Sequence, residues 1–146
     1  MPKDFVVTPW EVKGKIDYDS LMKDFGIDPI ANFVNRIPRH MLFSRGVVYG
    51  HRDFGKIAEA IHKKEKFVVM TGLMPSGDFH LGHKIIADQL IYYQKLGAKI
   101  YLAVADIEAY NSRIPDLKKL SEVAIDQYLL NYIALGLKPK NCEFYF

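Results

Sequence analysis

The chain has a single cysteine, Cys142, in 146 residues. One thiol cannot build an internal disulfide framework or a cysteine-ligated zinc site. Charge of one sign is also scarce. Twenty Lys and Arg stand against seventeen Asp and Glu, and no basic stretch dominates the net +3. That balance permits a nucleic-acid partner without arguing for one. No run approaches the roughly 20 apolar residues of a spanning helix, so no membrane partner is expected. The first residues, MPKDFVVTPWEV, lack a basic segment followed by a long apolar one. No secretory leader is expected, and a reducing, cytoplasmic setting is the default. Repeats and low-complexity segments are absent. What remains is 49% hydrophobic and 25% charged, ordinary for a globular domain and long enough for one real core.

Composition changes near residue 65. Before it, Pro2, Pro9, Gly14, Gly26, Pro29, Pro38, Gly46 and Gly50 punctuate short elements. Asp4 to Trp10 alternates weakly and reads as one arm of a hairpin, with Gly14 in the turn and Ile16 on the returning arm. Asp17 or Asp19 can cap a short helix that stops at Gly26. A second helix is predicted from about Asp53 to Lys64, with Phe54, Ile57 and Ile61 on one face.

After residue 65 the pattern is cleaner. Phe67 to Met70 is a continuous, β-branched apolar run and reads as a buried strand. A loop, Thr71 to Gly77, leads to a helix of about Leu81 to Leu96. Leu81, Ile85, Ile86, Leu90 and Tyr93 form its apolar stripe, and Gly97 ends it. Ile100 to Ala105 reads as a second buried strand. Pro115-Asp116 opens a third helix, about Leu117 to Leu135, with Gly136 at its end. Glu143 to Phe146 starts a third strand. The order β-α-β-α-β predicts an α/β fold with a parallel sheet and right-handed crossovers, half of a Rossmann-type sheet. A chain that stops there is expected to be part of a larger protein, because parallel sheets are covered on both faces.

Ligands of open parallel sheets bind beyond the carboxyl ends of the strands. Residues 71–83 hold that place. Gly72, Gly77 and Gly82 allow close approach to the backbone, and the following helix N-terminus favours an anion. The spacing is neither G-x-G-x-x-G nor Walker A, because His83 stands where the latter needs lysine. His80 and His83 lie three apart, on one face of a helix. As metal ligands they lack a third partner, and no H-E-x-x-H occurs. They read either as ordinary polar surface or as hydrogen-bond donors to a phosphate whose charge grows in a transition state.

PSGDFHLGH, Pro75 to His83, resembles the ATP-binding HIGH signature of class I aminoacyl-tRNA synthetases, with leucine for isoleucine. Around it, Thr8-Pro9-Trp10-Glu11-Val12, Ile16-Asp17-Tyr18-Asp19, Arg45-Gly46, His51-Arg52-Asp53-Phe54 and Thr71-Gly72-x-x-Pro75-Ser76 are similar to segments of archaeal and eukaryotic tryptophanyl-tRNA synthetases. They occur in the same order over about residues 6–146. The resemblance implies a HUP-like Rossmann fold in which 1–65 form an extension packing on the catalytic domain. Residues 66–146 would then be the first half of that domain, without the KMSKS-like lysine loop and the anticodon-binding domain. It implies formation of tryptophanyl-adenylate from L-tryptophan and ATP, with Mg2+ accompanying ATP, and transfer to tRNA(Trp).

In this reading His80 and His83 are catalytic. Met74, Pro75, Ser76, Gly77, His80, Gly82 and His83 bind ATP. Met70, Thr71, Gly72, Ala103, Asp106 and Glu108 line the amino-acid site, and no protein metal site is implied. Glu108 either meets the indole N–H or the ammonium, or is a solvated loop acid. Val7 to Ile16 is similar to a hairpin that closes over ATP, or else is a plain edge hairpin. Eukaryotic members carry tyrosine at Met70 and glutamine at Ala103, so polar recognition must come from elsewhere here. Tyrosyl-tRNA synthetases share the signature, so tyrosine is the alternative substrate. A non-catalytic nucleotide-binding paralogue is the alternative class. Lys138-Pro139-Lys140 reads as a helix-end turn and not as the lysine loop. Ala124-Ile125-Asp126-Gln127 resembles a family motif found further along such chains and is read as coincidence inside a helix. A homodimer is implied for the full-length protein, and this chain alone is not expected to aminoacylate.

Overall fold

Asp17 accepts the Asp19 N–H at 3.1 Å and opens helix α1 (Tyr18–Phe25), which stops at Gly26 with φ 59°. The computed structural model describes residues 5–7, 12–14 and 16–146. Before α1, strands β1 (Phe5–Val7) and β2 (Val12–Gly14) pair antiparallel. The hairpin is therefore present, but Gly14 faces Phe5 in the returning strand instead of turning the chain. The connection is residues 8–11, so Thr8, Pro9, Trp10 and Glu11 lie outside the described residues, as does Asp4.

The chain divides into two compact units, 1–59 and 60–146. In the first, β3 (Asp28–Pro29) pairs with β4 (Gly50–His51), enclosing the short helices α2 (Ala31–Val34) and α3 (Met41–Ser44). The sequence pattern gave no sign of these four elements, because two- and four-residue pieces carry no periodicity. Their core is Ile30, Ile37, Leu42, Phe43 and Phe54, and at its margin Phe33 meets Phe54 and His51 edge-on at 5.5 and 5.0 Å, with Arg36 over the Phe33 ring at 5.4 Å. His51 Nδ1 accepts the Phe54 N–H at 3.3 Å and starts helix α4 (Phe54–Lys63). The His51-Arg52-Asp53-Phe54 segment thus works as a helix start, with Asp53 at φ 54°.

The second unit is built on a parallel sheet in the order β5 (Val68–Leu73), β6 (Lys99–Val104), β7 (Cys142–Tyr145). Helix α5 (Leu81–Lys95) joins the first two strands, and Gly97 at φ 98° releases the chain from it. Between β6 and β7 come α6 (Asp106–Ser112), α7 (Leu117–Val123), a π-helical turn (Ala124–Leu129) and α8 (Leu130–Leu135). Asp116 caps α7 by accepting the Lys119 N–H at 3.1 Å, and Gly136 at φ 116° ends α8. The α/β parallel sheet follows the sequence expectation.

Three expectations need correction. The first strand runs on through Thr71, Gly72 and Leu73, because these pair with Leu102, Ala103 and Val104. The loop therefore begins at Met74. Val68 and Met70 are 57% and 65% exposed, so that strand is not buried on both sides. Ile100, Leu102 and Val104 point into the core, whereas Met70, Gly72, Tyr101 and Ala103 share the opposite, open face. Finally, α5 buries Ala87, Leu90, Ile91 and Tyr92 but leaves Leu81, Ile85 and Ile86 exposed. Periodicity locates an apolar face but not the neighbour that covers it. Short α6 was not predicted at all.

The π-helical turn has a sequence cause. Leu120, Ala124, Tyr128 and Tyr132 are all buried and recur every four residues. A straight α-helix has 3.6 residues per turn, so a four-residue spacing drifts by about 40° at each step. A stretch wound with i→i+5 bonds is wider and takes up that drift. The four side chains can then stay against one core.

Candidate functional site

The site grows from the end of β5. Seven residues, Met74 to His80, connect that end to α5. Pro75 is fully buried and pins the loop, and the Ser76 N–H donates to the Met74 carbonyl at 2.9 Å. The Ser112 hydroxyl of α6 lies 3.9 Å from the Met74 sulfur. Ser76, Gly77 and Asp78 remain exposed. A Cβ on Gly77 would meet nothing within 4 Å. Packing thus gives no reason for glycine there, whereas close approach of a ligand would.

His80 is the N-cap of α5, with extended backbone at φ −136° and ψ 177°. Its Nδ1 accepts the Gly82 N–H at 3.2 Å, and His83 Nδ1 accepts the His80 N–H at 3.2 Å. This is a capping box made from two histidines, satisfying donors that a helix start otherwise leaves free. A neutral imidazole that accepts at Nδ1 carries its hydrogen on Nε2. Each ring therefore keeps one N–H donor for another partner. The two rings stack at 3.8 Å between centroids with 26° between planes. Burial, and then the neighbouring His80, hold the His83 pKa below its ordinary 6.5. Two stacked cations would repel, so the geometry and the shift agree on neutral His83.

Gly82 is tied to this cap. A Cβ there would stand 3.0 Å from His80 Cε1 and 3.1 Å from its Nδ1. Only glycine lets the His80 ring fold back over the first turn undisturbed.

Three aromatic residues absent from the sequence expectation complete the neighbourhood. Tyr128, on the π-helical turn, meets the His83 ring edge-on at 4.9 Å. Phe79 lies 5.5 Å from His83, 6.1 Å from Tyr128 and 5.6 Å from Tyr132. Tyr128 is 1% exposed and Tyr132 2%. Burial raises the Tyr128 phenol, opposed by the backbone of Ser76 and Gly77 facing its oxygen. Burial and nearby Tyr128 push Tyr132 up to about 12. The four-residue spacing of buried positions was the one sequence signal that could have drawn attention to Tyr128. The Ala124-to-Gln127 segment, read as coincidence, forms the start of the turn that presents it.

The other candidates divide. Met70, Gly72 and Ala103 lie together on the open sheet face, beside Tyr101, which carries the Lys99 ammonium 4.7 Å from its ring centre. A Cβ on Gly72 would meet only the Ala103 carbonyl, at 3.9 Å. Thr71 alternates to the other side, its hydroxyl 3.4 Å from the Gly72 carbonyl. Asp106 opens α6 right after β6, and its carboxylate accepts the Ile107 N–H at 2.9 Å. Glu108 is exposed on the first turn of α6. Among the described residues no group of three or more His, Cys, Asp or Glu is placed to hold a metal ion.

What the arrangement can do is bind an anion. It offers an exposed glycine loop past a strand end, a helix N-terminus, and two imidazole N–H donors held in one orientation.

Comparison with known proteins agrees on one family. The family model described as tRNA synthetases class I (W and Y) matches residues 62–146. A tryptophan–tRNA ligase of Thermoplasma volcanium is 49% identical over 141 residues, covering 97% of this chain and 32% of that protein. The crystal structure of the Aeropyrum pernix tryptophanyl-tRNA synthetase superposes with a TM-score of 0.80 at 46% identity, covering 89% of this chain and 37% of the other. That of the Encephalitozoon cuniculi synthetase, bound to tryptophan, gives 0.78 at 26% identity, covering 88% and 40%. The chain thus spans about a third of the length of the curated relatives it matches.

Proposed function

Because this chain belongs to the class I tRNA synthetases of the W and Y family, we propose that it carries the ATP-binding half of an L-tryptophan-activating active site. In this reading residues 66–146 are the first half of the catalytic domain and 1–65 an extension to it. The whole protein joins ATP and tryptophan into tryptophanyl-adenylate and passes the tryptophanyl group to tRNA(Trp). It does so in the cytoplasm, as a homodimer.

The observation that carries the proposal is the histidine capping box. Both Nδ1 atoms are engaged by backbone N–H groups, so both Nε2–H groups are fixed as donors. The tryptophan carboxylate attacks the α-phosphorus and pyrophosphate leaves, with no covalent enzyme intermediate. Catalysis of such a step is positioning and charge stabilisation. His80 and His83 donate to phosphate oxygens as their charge grows. Donors already locked by the cap need no reorganisation at that moment. Met74, Pro75, Ser76 and Gly77 shape the loop, and Gly82 admits adenosine to the backbone. Mg2+ accompanies ATP through the phosphates, since it is commonly held by few protein groups together with substrate phosphates.

Tryptophan binds on the open sheet face. Met70, Gly72 and Ala103 supply an apolar floor, with Thr71 behind them. Asp106 and Glu108, at the start of α6, supply the carboxylates for the ammonium or the indole N–H. Met70 and Ala103 offer no hydrogen bond, and a large flat apolar ring is the side chain that suits such a floor.

Amino-acid-dependent ATP–pyrophosphate exchange tests the proposal on the full-length protein. Exchange with tryptophan alone is the expected result. Exchange with tyrosine alone overturns the substrate, and none with either, from a folded protein, overturns the enzyme.

A further inference from the structure

We propose that Tyr128 is a positioning residue for the phosphate loop: its hydroxyl holds the Ser76–Gly77 backbone and its ring edge holds the His83 imidazole. The π-helical turn is the device that delivers it. This rests on the reading of residues 74–83 as a phosphate site.

Tyr128 is 1% exposed, and a hydroxyl on so buried a side chain needs a partner, because an unpaired buried hydroxyl is costly. The polar groups near the Tyr128 oxygen are the backbone of Ser76 and Gly77, the Asp78 carboxylate and the Ser76 side chain. These belong to the loop that is otherwise exposed, and Gly77 has no side-chain anchor of its own. The same ring meets His83 at 4.9 Å and Phe79 at 6.1 Å, both edge-on. One side chain therefore touches the loop before α5, Phe79 and the second histidine of the cap. Its own place depends on the wide turn, Ala124–Leu129, lying where the buried spacing departs from the α-helical period. Such turns recur where a side chain must be aimed at a site. Tyr132, four residues on, is the internal comparison. It is equally buried and lies 5.6 Å from Phe79, and burial and Tyr128 are what raise its pKa.

Tyr128→Phe removes the hydroxyl and keeps the ring. The test compares amide and imidazole NMR signals and ATP titrations of this chain in wild type, Tyr128→Phe, Tyr128→Leu and Tyr132→Phe. In Tyr128→Phe the ATP-free protein should shift the Ser76 and Gly77 amides and leave the His83 ring signals in place. ATP affinity should fall about five- to tenfold, the effect of one lost hydrogen bond. Tyr128→Leu should also move the His83 ring signals, and Tyr132→Phe should move none of these. Ser76 and Gly77 amides unmoved in Tyr128→Phe, or moved with unchanged ATP affinity, overturn the proposal. If wild type binds no ATP, the phosphate reading falls instead, and the ATP-free amide shifts alone decide whether Tyr128 holds the loop.

Discussion

Gly82→Ala separates stability from function at the histidine cap. The added Cβ would stand 3.0 Å from His80 Cε1 and 3.1 Å from Nδ1, so the ring must swing away by a few tenths of an ångström or more. The 3.2 Å bond from the Gly82 N–H then weakens or breaks, and the 3.8 Å stack with His83 opens. Losing an N-cap costs about 0.5–2 kcal/mol. Replacing glycine by alanine within a helix returns about 0.8–1 kcal/mol. The two nearly cancel, so the melting temperature should move by no more than about 4 °C. Function has no such compensation. A fixed donor that stabilises a developing charge is worth about 10²- to 10³-fold in turnover. Pyrophosphate exchange by the full-length protein should fall by about that factor, with far-UV circular dichroism unchanged. Near-wild-type exchange, or a stability loss well above 2 kcal/mol, would refute the claim that His80 acts through its capped position.

The remaining predictions concern protonation, glycines and caps. His83 should titrate below 6.5 by NMR, because burial disfavours its cation. Its folded pKa is depressed, so the unfolded chain binds more protons just below 6.5. The stability linked to His83 is thus complete above pH 6.5 and is lost as pH falls toward its folded pKa. A His83 midpoint above 6.5 would contradict this. Gly77→Ala meets open space and should leave the melting temperature within a few degrees while weakening ATP binding in isothermal titration. Undiminished binding would remove Gly77 from the phosphate site. Gly136→Ala, at φ 116°, should lower stability by about 1 kcal/mol or more in urea without touching exchange. Asp116→Ala should cost about 1 kcal/mol by removing the cap on Lys119 N–H.

Long elements were legible because their signals are local. Asp17, Asp116, Gly26, Gly97 and Gly136 set helix ends through a short acceptor or a left-handed backbone, and both are properties of single residues. The His80–His83 pair was legible as a candidate site for the same reason: strand, glycine loop and helix start are contiguous in the chain. The resemblance to the synthetase signature came from those contiguous residues too.

What the sequence alone determined, then, is the α/β order, the caps and the place of the glycine loop between β5 and α5. Tertiary structure decided the rest. Strand pairing carried β5 three residues past its apolar run, since the register with β6 is a long-range fact. Sheet alternation put Met70, Gly72 and Ala103 on one open face and turned Thr71 away. Only folding brought Tyr128, 45 residues beyond His83, against that ring at 4.9 Å. It did so through a widened helical turn that a 3.6-residue period does not foresee. Hydrogen bonding then engaged both imidazole Nδ1 atoms and left each Nε2–H to another partner.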